Sequence, residues 1–316
     1  MKLTLAFLRL IRWPNLVFII LTQVLFYTSI INALTLKSAD GEPVISLLYF
    51  CLVCIASVLI AGAGYIINDY FDINIDRINK PGKMVVDQII TRRWAILLHF
   101  LLSSLGLLVT AYLAWKLGSI LLFLFNTACV ALLWFYSTTL KKEILVGNIA
   151  ISLLTAWVIG VLYLVLTSFH KPGLESKAEL LIIYKFASLY AGFAFMISVI
   201  REVVKDIEDV EGDMKNGCRT MPIVWGIPVA KVFTAVWLIV IVGLLGVLQF
   251  YVWYLGWRLF SIYCAIFIMI PLIWVGIKLY HAQNTKEYHR ISTVTKMIMF
   301  TGIMSMIFIK YYAGAV

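Results

Sequence analysis

The sequence predicts an all-α polytopic membrane protein with nine transmembrane helices. Two observations support this prediction: 63% of the 316 residues are apolar against 13% charged, and the apolar residues fall into long runs. About 20 apolar residues span the ~30 Å hydrocarbon core of a bilayer, so both the length of the runs and the composition indicate membrane-spanning segments. A soluble domain could not bury this much apolar surface, and a disordered chain would be far more polar.

The apolar runs follow one another along the chain with short polar joints, so we predict a single transmembrane domain over residues 1–316. Backbone groups in lipid must satisfy their own hydrogen bonds, and continuous apolar runs favour helices over the alternating pattern of barrel strands. The nine runs cover residues 15–36, 44–67, 94–115, 118–137, 144–168, 179–200, 229–250, 258–280 and 291–312.

Lysine and arginine are unequally divided between the two sides of the predicted bundle. The N-terminus and the loops on its side carry 19 of the 26 basic residues, and the other side carries 7. Because basic residues accumulate in loops that stay inside the cell, we predict a cell (inner) membrane protein with a cytoplasmic N-terminus. The same bias accounts for the net charge of +10 without a nucleic-acid partner. Nothing in the sequence indicates an obligate protein partner.

Acidic residues are concentrated in two segments on the predicted inner side. Ten of the 16 aspartates and glutamates follow the second and sixth apolar runs. In the first segment, Asn68, Asp72 and Asp76 recur every four residues, so they form one stripe if the helix continues. The second segment places three carboxylates on one helix face at i, i+3 and i+7, namely Asp206, Asp209 and Asp213.

Stacked carboxylates repel one another, so a bound cation is expected to offset the repulsion. Mg²⁺ prefers oxygen ligands, takes one or two carboxylates, and fills its remaining positions with water and phosphate oxygens. We therefore predict Mg²⁺ as the cofactor and a phosphorylated ligand as the substrate, although two solvated acidic loops would give a similar composition. The predicted metal ligands are Asn68, Asp72, Asp76, Asp206, Asp209 and Asp213.

The two acidic segments resemble the aspartate-rich motifs of the UbiA superfamily of intramembrane prenyltransferases. The first matches the pattern N-D-x-x-D-x-x-x-D, and the second lies in the string KDIEDVEGD. The segment from Tyr136 to Lys141 and the string Arg12-Trp13-Pro14-Asn15 are similar to two further signatures of the family. The resemblance covers the whole chain, including nine helices with the motifs after the second and the sixth.

The resemblance implies that a prenyl diphosphate binds through Mg²⁺ to both motifs, inside the bilayer, and that a lipophilic acceptor captures its prenyl group. It implies catalytic roles for Asp72, Asp76, Asp209, Asp213 and Lys141. It implies substrate contacts for Asn15, Asn68, Arg77, Tyr136 and Lys141. One departure follows Asn79-Lys80-Pro81: where the family commonly continues with an arginine and a proline, this chain has Gly82-Lys83.

The second motif looks most like the branch of the superfamily that uses a prenylglycerol phosphate as acceptor. We therefore predict geranylgeranyl transfer to the hydroxyl of that lipid. An aromatic, quinone-precursor or tetrapyrrole acceptor stays open, as does a cyclase of the same superfamily, which shares the ionisation chemistry. A metal or small-solute transporter is the alternative from another class, although few ionisable residues lie in the middle of the apolar runs.

Overall fold

The computed structural model describes residues 2–35, 43–79, 82, 84–168 and 177–312. Within these ranges, nine helical spans are long and apolar enough to cross a membrane, and no β-strand occurs. The prediction of an all-α membrane bundle is confirmed. The helices are α1 (Lys2–Leu10), α2 (Trp13–Phe26), α3 (Asn32–Leu34), α4 (Leu47–Phe71), α5 (Ile73–Asn79), α6 (Arg92–Leu117), α7 (Ile120–Thr138), α8 (Val146–Ser168), α9 (Lys177–Glu208), α10 (Val210–Lys215), α11 (Met221–Val224), α12 (Ile227–Tyr254), α13 (Arg258–Cys264), α14 (Ile270–His281), α15 (Thr285–Met304) and α16 (Met306–Tyr312).

Several spans consist of more than one helical element. A π-helical turn over Tyr27–Ile31 joins α2 to α3, and another over Ala265–Met269 joins α13 to α14. Because these turns keep the backbone hydrogen-bonded, each pair continues as one span through lipid.

Local sequence signals explain where individual helices begin and end. Gly118 adopts a left-handed conformation (φ 63°) immediately after α6 and so terminates it. Asn284 and Glu287 form a capping box at the start of α15. The helix therefore begins at Thr285, ahead of the apolar run predicted from residue 291, because its first turns are polar and project beyond the apolar stretch.

The long helices surround a central space. α4 packs against α2, α6 and α7, while α8 packs against α7 and α9. α9 also contacts α12 and α15, and α15 returns to α2, which closes the ring. The outward faces are apolar: Ile239, Val247 and Phe250 on α12 are 72%, 72% and 83% exposed. Such faces are stable only against lipid tails, so the chain is an integral membrane protein.

Candidate active site

Both acidic segments lie where a long membrane helix ends and a short helix begins. α4 ends immediately before Asp72, and α9 ends immediately before Asp209. The two residues have nearly the same backbone conformation, with φ −88° and ψ 0° at Asp72 and φ −94° and ψ 7° at Asp209. This sparsely populated region is common in turns and active sites. The sequence predicted continuous stripes, and the structure instead shows a break at one aspartate of each motif.

The helical spacing of the aspartates in each motif is kept across the break. The Asp76 N–H donates to the carbonyl oxygen of Asp72 at 2.8 Å, and the Asp213 N–H donates to that of Asp209 at 3.2 Å. These i to i+4 bonds continue the helical hydrogen-bond pattern across each break. The carboxylates of each motif therefore stay on neighbouring turns on the two sides of the break.

A single asparagine joins the two motifs. Asn79 Nδ2, at the end of α5, donates to the carbonyl oxygen of Asp209 at 3.0 Å, and the Gly212 N–H of α10 donates to Asn79 Oδ1 at 3.0 Å. A Cβ atom at position 212 would lie 2.5 Å from Asn79 Cγ, so only glycine allows this approach. Both motifs consequently lie at the same end of the bundle. Sequence analysis missed Asn79 and Gly212, because neither residue type nor spacing marks a contact between segments so distant in the chain.

Lys141 contacts the first motif directly. Its Nζ lies 2.5 Å from Asp72 Oδ1 and 3.5 Å from Asn68 Oδ1. The Asn68 amide also donates to Asp72 Oδ2 at 2.7 Å. Lys141 follows α7 in a 3₁₀ turn over Leu140–Lys142. That turn packs on α8 at Gly147, where a Cβ atom would lie 2.7 Å from Lys141 Cα.

The motifs line one cavity of about 1000 Å³ between α2, α4, α7, α8, α9 and α15. One end is polar and holds both helix breaks and Lys141. The other end extends between the helices, where Ile60, Leu133 and Val158 form an apolar wall with Trp157 beside them. All six predicted metal ligands line this cavity, namely Asn68, Asp72, Asp76, Asp206, Asp209 and Asp213.

Two further predicted contact residues also line the cavity. Tyr136 lies in the last turn of α7, and Asn15 lies in the first turn of α2. Asn148 of α8, which sequence analysis did not single out, donates from Nδ2 to Asp206 Oδ2 at 2.8 Å. This hydrogen bond orients one oxygen of Asp206 and leaves the carboxylate at the cavity wall.

Arg77, which we predicted to contact the diphosphate, is not brought to the cavity in this structure. Arg77 lies outside the lining of the cavity, and its guanidinium pairs with Asp87 at 3.0 Å on the exposed surface. Asp76, the preceding residue, does line the cavity, and successive helical residues point about 100° apart, so Arg77 lies on a different face of α5. Asp69, which lies off the predicted stripe, pairs instead with Arg12 at 2.6 Å. Lys83, the departure from the family pattern, lies outside the described residues.

The donor set fits Mg²⁺ shared with a phosphate, and it does not fit a closed protein cage. Among the described residues, no three carboxylate, histidine or cysteine side chains are grouped closely enough to hold a metal ion alone. The side chains of the two motifs that line the cavity nevertheless all offer carboxylate or amide oxygens as metal ligands. Mg²⁺ is bound in this way where substrate phosphates supply the missing ligands. The ammonium of Lys141 against Asp72 shows that this carboxylate accepts a cation.

A membrane bundle around a cavity with two aspartate-rich helix breaks defines the class of intramembrane prenyltransferases. The chain belongs to the UbiA prenyltransferase family, whose family model matches residues 11–301.

Several archaeal relatives are similar over much of the chain. The digeranylgeranylglyceryl phosphate synthase of Methanosphaera stadtmanae is 31% identical over 247 residues, which are 77% of this chain and 81% of that protein. The synthase of the same name from Methanobrevibacter smithii is 29% identical and covers 92% of each chain. The Pyrococcus abyssi synthase is 36% identical over 194 residues, and the match spans only 61% of its length.

Solved structures share the fold at lower identity. A structure of a digeranylgeranylglyceryl phosphate synthase superimposes with a TM-score of 0.61 at 23% identity, covering 97% of this chain and 99% of that one. A UbiA homologue from Archaeoglobus fulgidus, solved with GPP and Mg²⁺, gives a TM-score of 0.59 at 17% identity, covering 95% and 99%. These similarities confirm the UbiA fold.

Proposed function

We propose that this protein transfers a prenyl group, geranylgeranyl by preference, from its diphosphate to the hydroxyl of a prenylglycerol phosphate. The single observation that carries the proposal is the pair of aspartate-rich helix breaks. They are held together by Asn79 and open with Lys141 into one cavity. The acceptor follows from the relatives named above, which are digeranylgeranylglyceryl phosphate synthases.

In this proposal the polar end of the cavity binds the diphosphate. Asp72, Asp76, Asp206, Asp209 and Asp213 present carboxylate oxygens from both sides, and Asn68 adds an amide oxygen. Mg²⁺ bound by these oxygens supplies positive charge that stabilises the departing diphosphate. Lys141 supplies a further positive charge and a directional donor for a phosphate oxygen.

The reaction breaks the bond between C1 of the prenyl group and its diphosphate oxygen, and the electron pair leaves with the diphosphate. The hydroxyl oxygen of the acceptor then bonds to C1, so the products are a prenyl ether, diphosphate and one proton. Tyr136 and Asn15 line the same cavity, and in this proposal they border the space where donor and acceptor meet. The apolar wall beyond them keeps water from C1, where it would compete with the acceptor.

Removal of divalent cations tests the metal requirement. We expect EDTA to abolish transfer by the purified protein and added Mg²⁺ to restore it, because carboxylates alone would repel a diphosphate. The measurement is the rate of acceptor-linked product, determined by mass. Sodium chloride at the ionic strength of the added Mg²⁺ serves as the control. Full activity in excess EDTA would contradict the proposed use of the two motifs.

We also propose that the motifs face the cytoplasm in the cell membrane, because 19 of the 26 basic residues lie on their side of the chain. The test uses single cysteines in a background that lacks the native ones. Exposed positions Arg93 and Lys215 on the motif side are expected to react with an impermeant thiol reagent only when the inner face is accessible. Lys116→Cys, at the opposite end of α6, is the matched control and is expected to react in intact cells. Reaction of Lys215→Cys in intact cells would reverse the proposed orientation.

A further inference from the structure

A second group of charged side chains, in addition to the two aspartate-rich motifs, lines the same cavity. It consists of four cations on three helical regions of the bundle, and we refer to it as the basic cluster: Arg12, Arg201, Lys205 and Lys296. Arg201 precedes Asp206 by five residues on α9, which places it about 7–8 Å further into the bundle along the helix axis. Lys205 adjoins Asp206 in the sequence and Arg12 pairs with Asp69, so the basic cluster borders the diphosphate site.

The cluster carries more positive charge than its own carboxylates neutralise. Arg12 pairs with Asp69 at 2.6 Å. Arg201 and Lys205 share one carboxylate, that of Glu202, at 2.7 and 3.1 Å. The Nε–H of Arg201 is buried and has no hydrogen-bond partner among the described residues. A buried donor without a partner is costly, and a bound acceptor oxygen would remove that cost.

Lys296 is the least compensated member of the basic cluster. Its Nζ donates to the neutral Asn15 Oδ1 at 2.7 Å, and none of the ion pairs in the described part of the chain involves it. The charged groups that act on it electrostatically are the other three cations of the cluster. Lys296 also lies within the membrane span of α15. Ionisable residues at such positions are expensive to keep and mark binding sites.

The unbalanced charge fits a phosphate monoester. The ion pairs of the four cluster cations use two carboxylates, Asp69 and Glu202, which leaves two positive charges within the cluster. Outside the cluster, Arg9 also lines the cavity, and Asp206 lies next to Lys205. A phosphate monoester carries −1.5 to −2 charges near neutral pH, so it roughly balances this excess. In a prenylglycerol phosphate the free hydroxyl lies on the carbon next to the one that bears the phosphate. A phosphate on the basic cluster would hold that hydroxyl beside the neighbouring diphosphate site.

We propose that the basic cluster, with Lys296 as its central donor, binds the phosphate monoester of the lipid acceptor and selects phosphorylated over unphosphorylated acceptors. This inference rests on the proposed function for the identity of the acceptor. The donor diphosphate is the other source of phosphate oxygens in the cavity. The test must therefore separate the two.

The first arm measures binding without Mg²⁺ and without a prenyl diphosphate. Purified full-length protein in nanodiscs is mixed with geranylgeranylglyceryl phosphate or with geranylgeranylglycerol, and bound lipid is quantified by native mass spectrometry. The wild type is expected to bind the phosphorylated lipid more tightly, and Lys296→Met is expected to lose about tenfold in that affinity, the effect of one charge-assisted hydrogen bond. Lys296→Arg is expected to retain the preference. Lys278→Met, an exposed lysine outside the cavity lining, is the matched control.

The second arm measures transfer. In Lys296→Met the KM for the phosphorylated acceptor is expected to rise about tenfold while the KM for the prenyl diphosphate stays unchanged. Arg201→Gln gives the same comparison at a second position, because Glu202 keeps Lys205 as its partner. The Arg201→Gln variant replaces Lys296→Met in this test if Lys296→Met does not yield folded protein.

Two outcomes would overturn the inference: unchanged binding of the phosphorylated lipid by Lys296→Met, or a rise in the KM for the donor in place of the acceptor. Different outcomes would refute the proposed function and the phosphate site. Lys296-dependent lipid binding without any transfer by the wild type would refute the reaction and leave the phosphate site standing. Transfer with a normal acceptor KM in Lys296→Met would refute the phosphate site and leave the reaction standing.

Discussion

Asp72→Asn is expected to lower kcat/KM for prenyl transfer at least about 100-fold, the scale seen when a preorganised electrostatic group is removed from an active site. Asp72 lies at the break of the first motif and accepts hydrogen bonds from Lys141 at 2.5 Å and from Asn68 at 2.7 Å. The amide keeps the shape of the side chain but removes the negative charge that a cation requires. We expect the same result for Asp209→Asn, at the corresponding break of the second motif.

A matched control is present in the loop that follows α5. Asp87 pairs with Arg77 and Arg92 on the surface, at 3.0 and 3.2 Å, and lies outside the cavity lining. Its backbone is left-handed (φ 72°), a conformation that asparagine also tolerates. Asp87→Asn should therefore leave kcat/KM unchanged. Near-normal turnover in both Asp72→Asn and Asp209→Asn, in folded protein, would refute the assignment of the motifs to the diphosphate.

Gly212→Ala is expected to reduce kcat about 10- to 100-fold, because small displacements of catalytic groups have effects of this size. The added methyl group would overlap the Asn79 side chain, which bridges α5 and α10. The two motifs would then separate while each keeps its own carboxylates. We therefore expect a higher Mg²⁺ requirement together with the lower kcat, and both are read from a Mg²⁺ titration of the transfer rate.

Gly243→Ala on α12 provides the comparison for the glycine substitution itself. Apart from the local helix itself, no atom lies within 4 Å of the Cβ position there, and the residue is exposed. Alanine in a helix interior is favoured over glycine by about 0.5–1 kcal/mol, so this variant should keep full activity and melt at the same or a higher temperature. If Gly212→Ala showed the same kcat and Mg²⁺ dependence as Gly243→Ala, the bridge through Asn79 would have no part in function.

The membrane spans could be predicted from the sequence because lipid imposes one simple requirement on length and polarity. Nine runs were predicted and nine spans occur among the described residues. The ends of the helices could not be predicted as well from the sequence. α4 and α9 both run on to the aspartate-rich motifs, and α15 begins in a polar segment at Thr285. Apolar content marks what lies in lipid and does not mark where the backbone leaves the helical conformation.

The arrangement of the site could be predicted only in part. Helical spacing brought the carboxylates of each motif together correctly, since that depends on local geometry. The breaks at Asp72 and Asp209 depend on how α5 and α10 meet through Asn79 and Gly212, which are 133 residues apart. No local pattern reports such a contact. Arg77 pairs with Asp87, ten residues further along the chain, and no local pattern reports that contact either.

Prenyl transfer is tested by measuring both products of one reaction. Purified protein in proteoliposomes is given Mg²⁺ and labelled prenyl diphosphates of several lengths, with and without geranylgeranylglyceryl phosphate. We expect diphosphate to be released mole for mole with an acceptor-linked prenyl ether, which is identified by mass. We expect no protein-dependent Mg²⁺ flux. Diphosphate release that yields a cyclic hydrocarbon whether or not acceptor is present, or Mg²⁺ flux without diphosphate release, would contradict it.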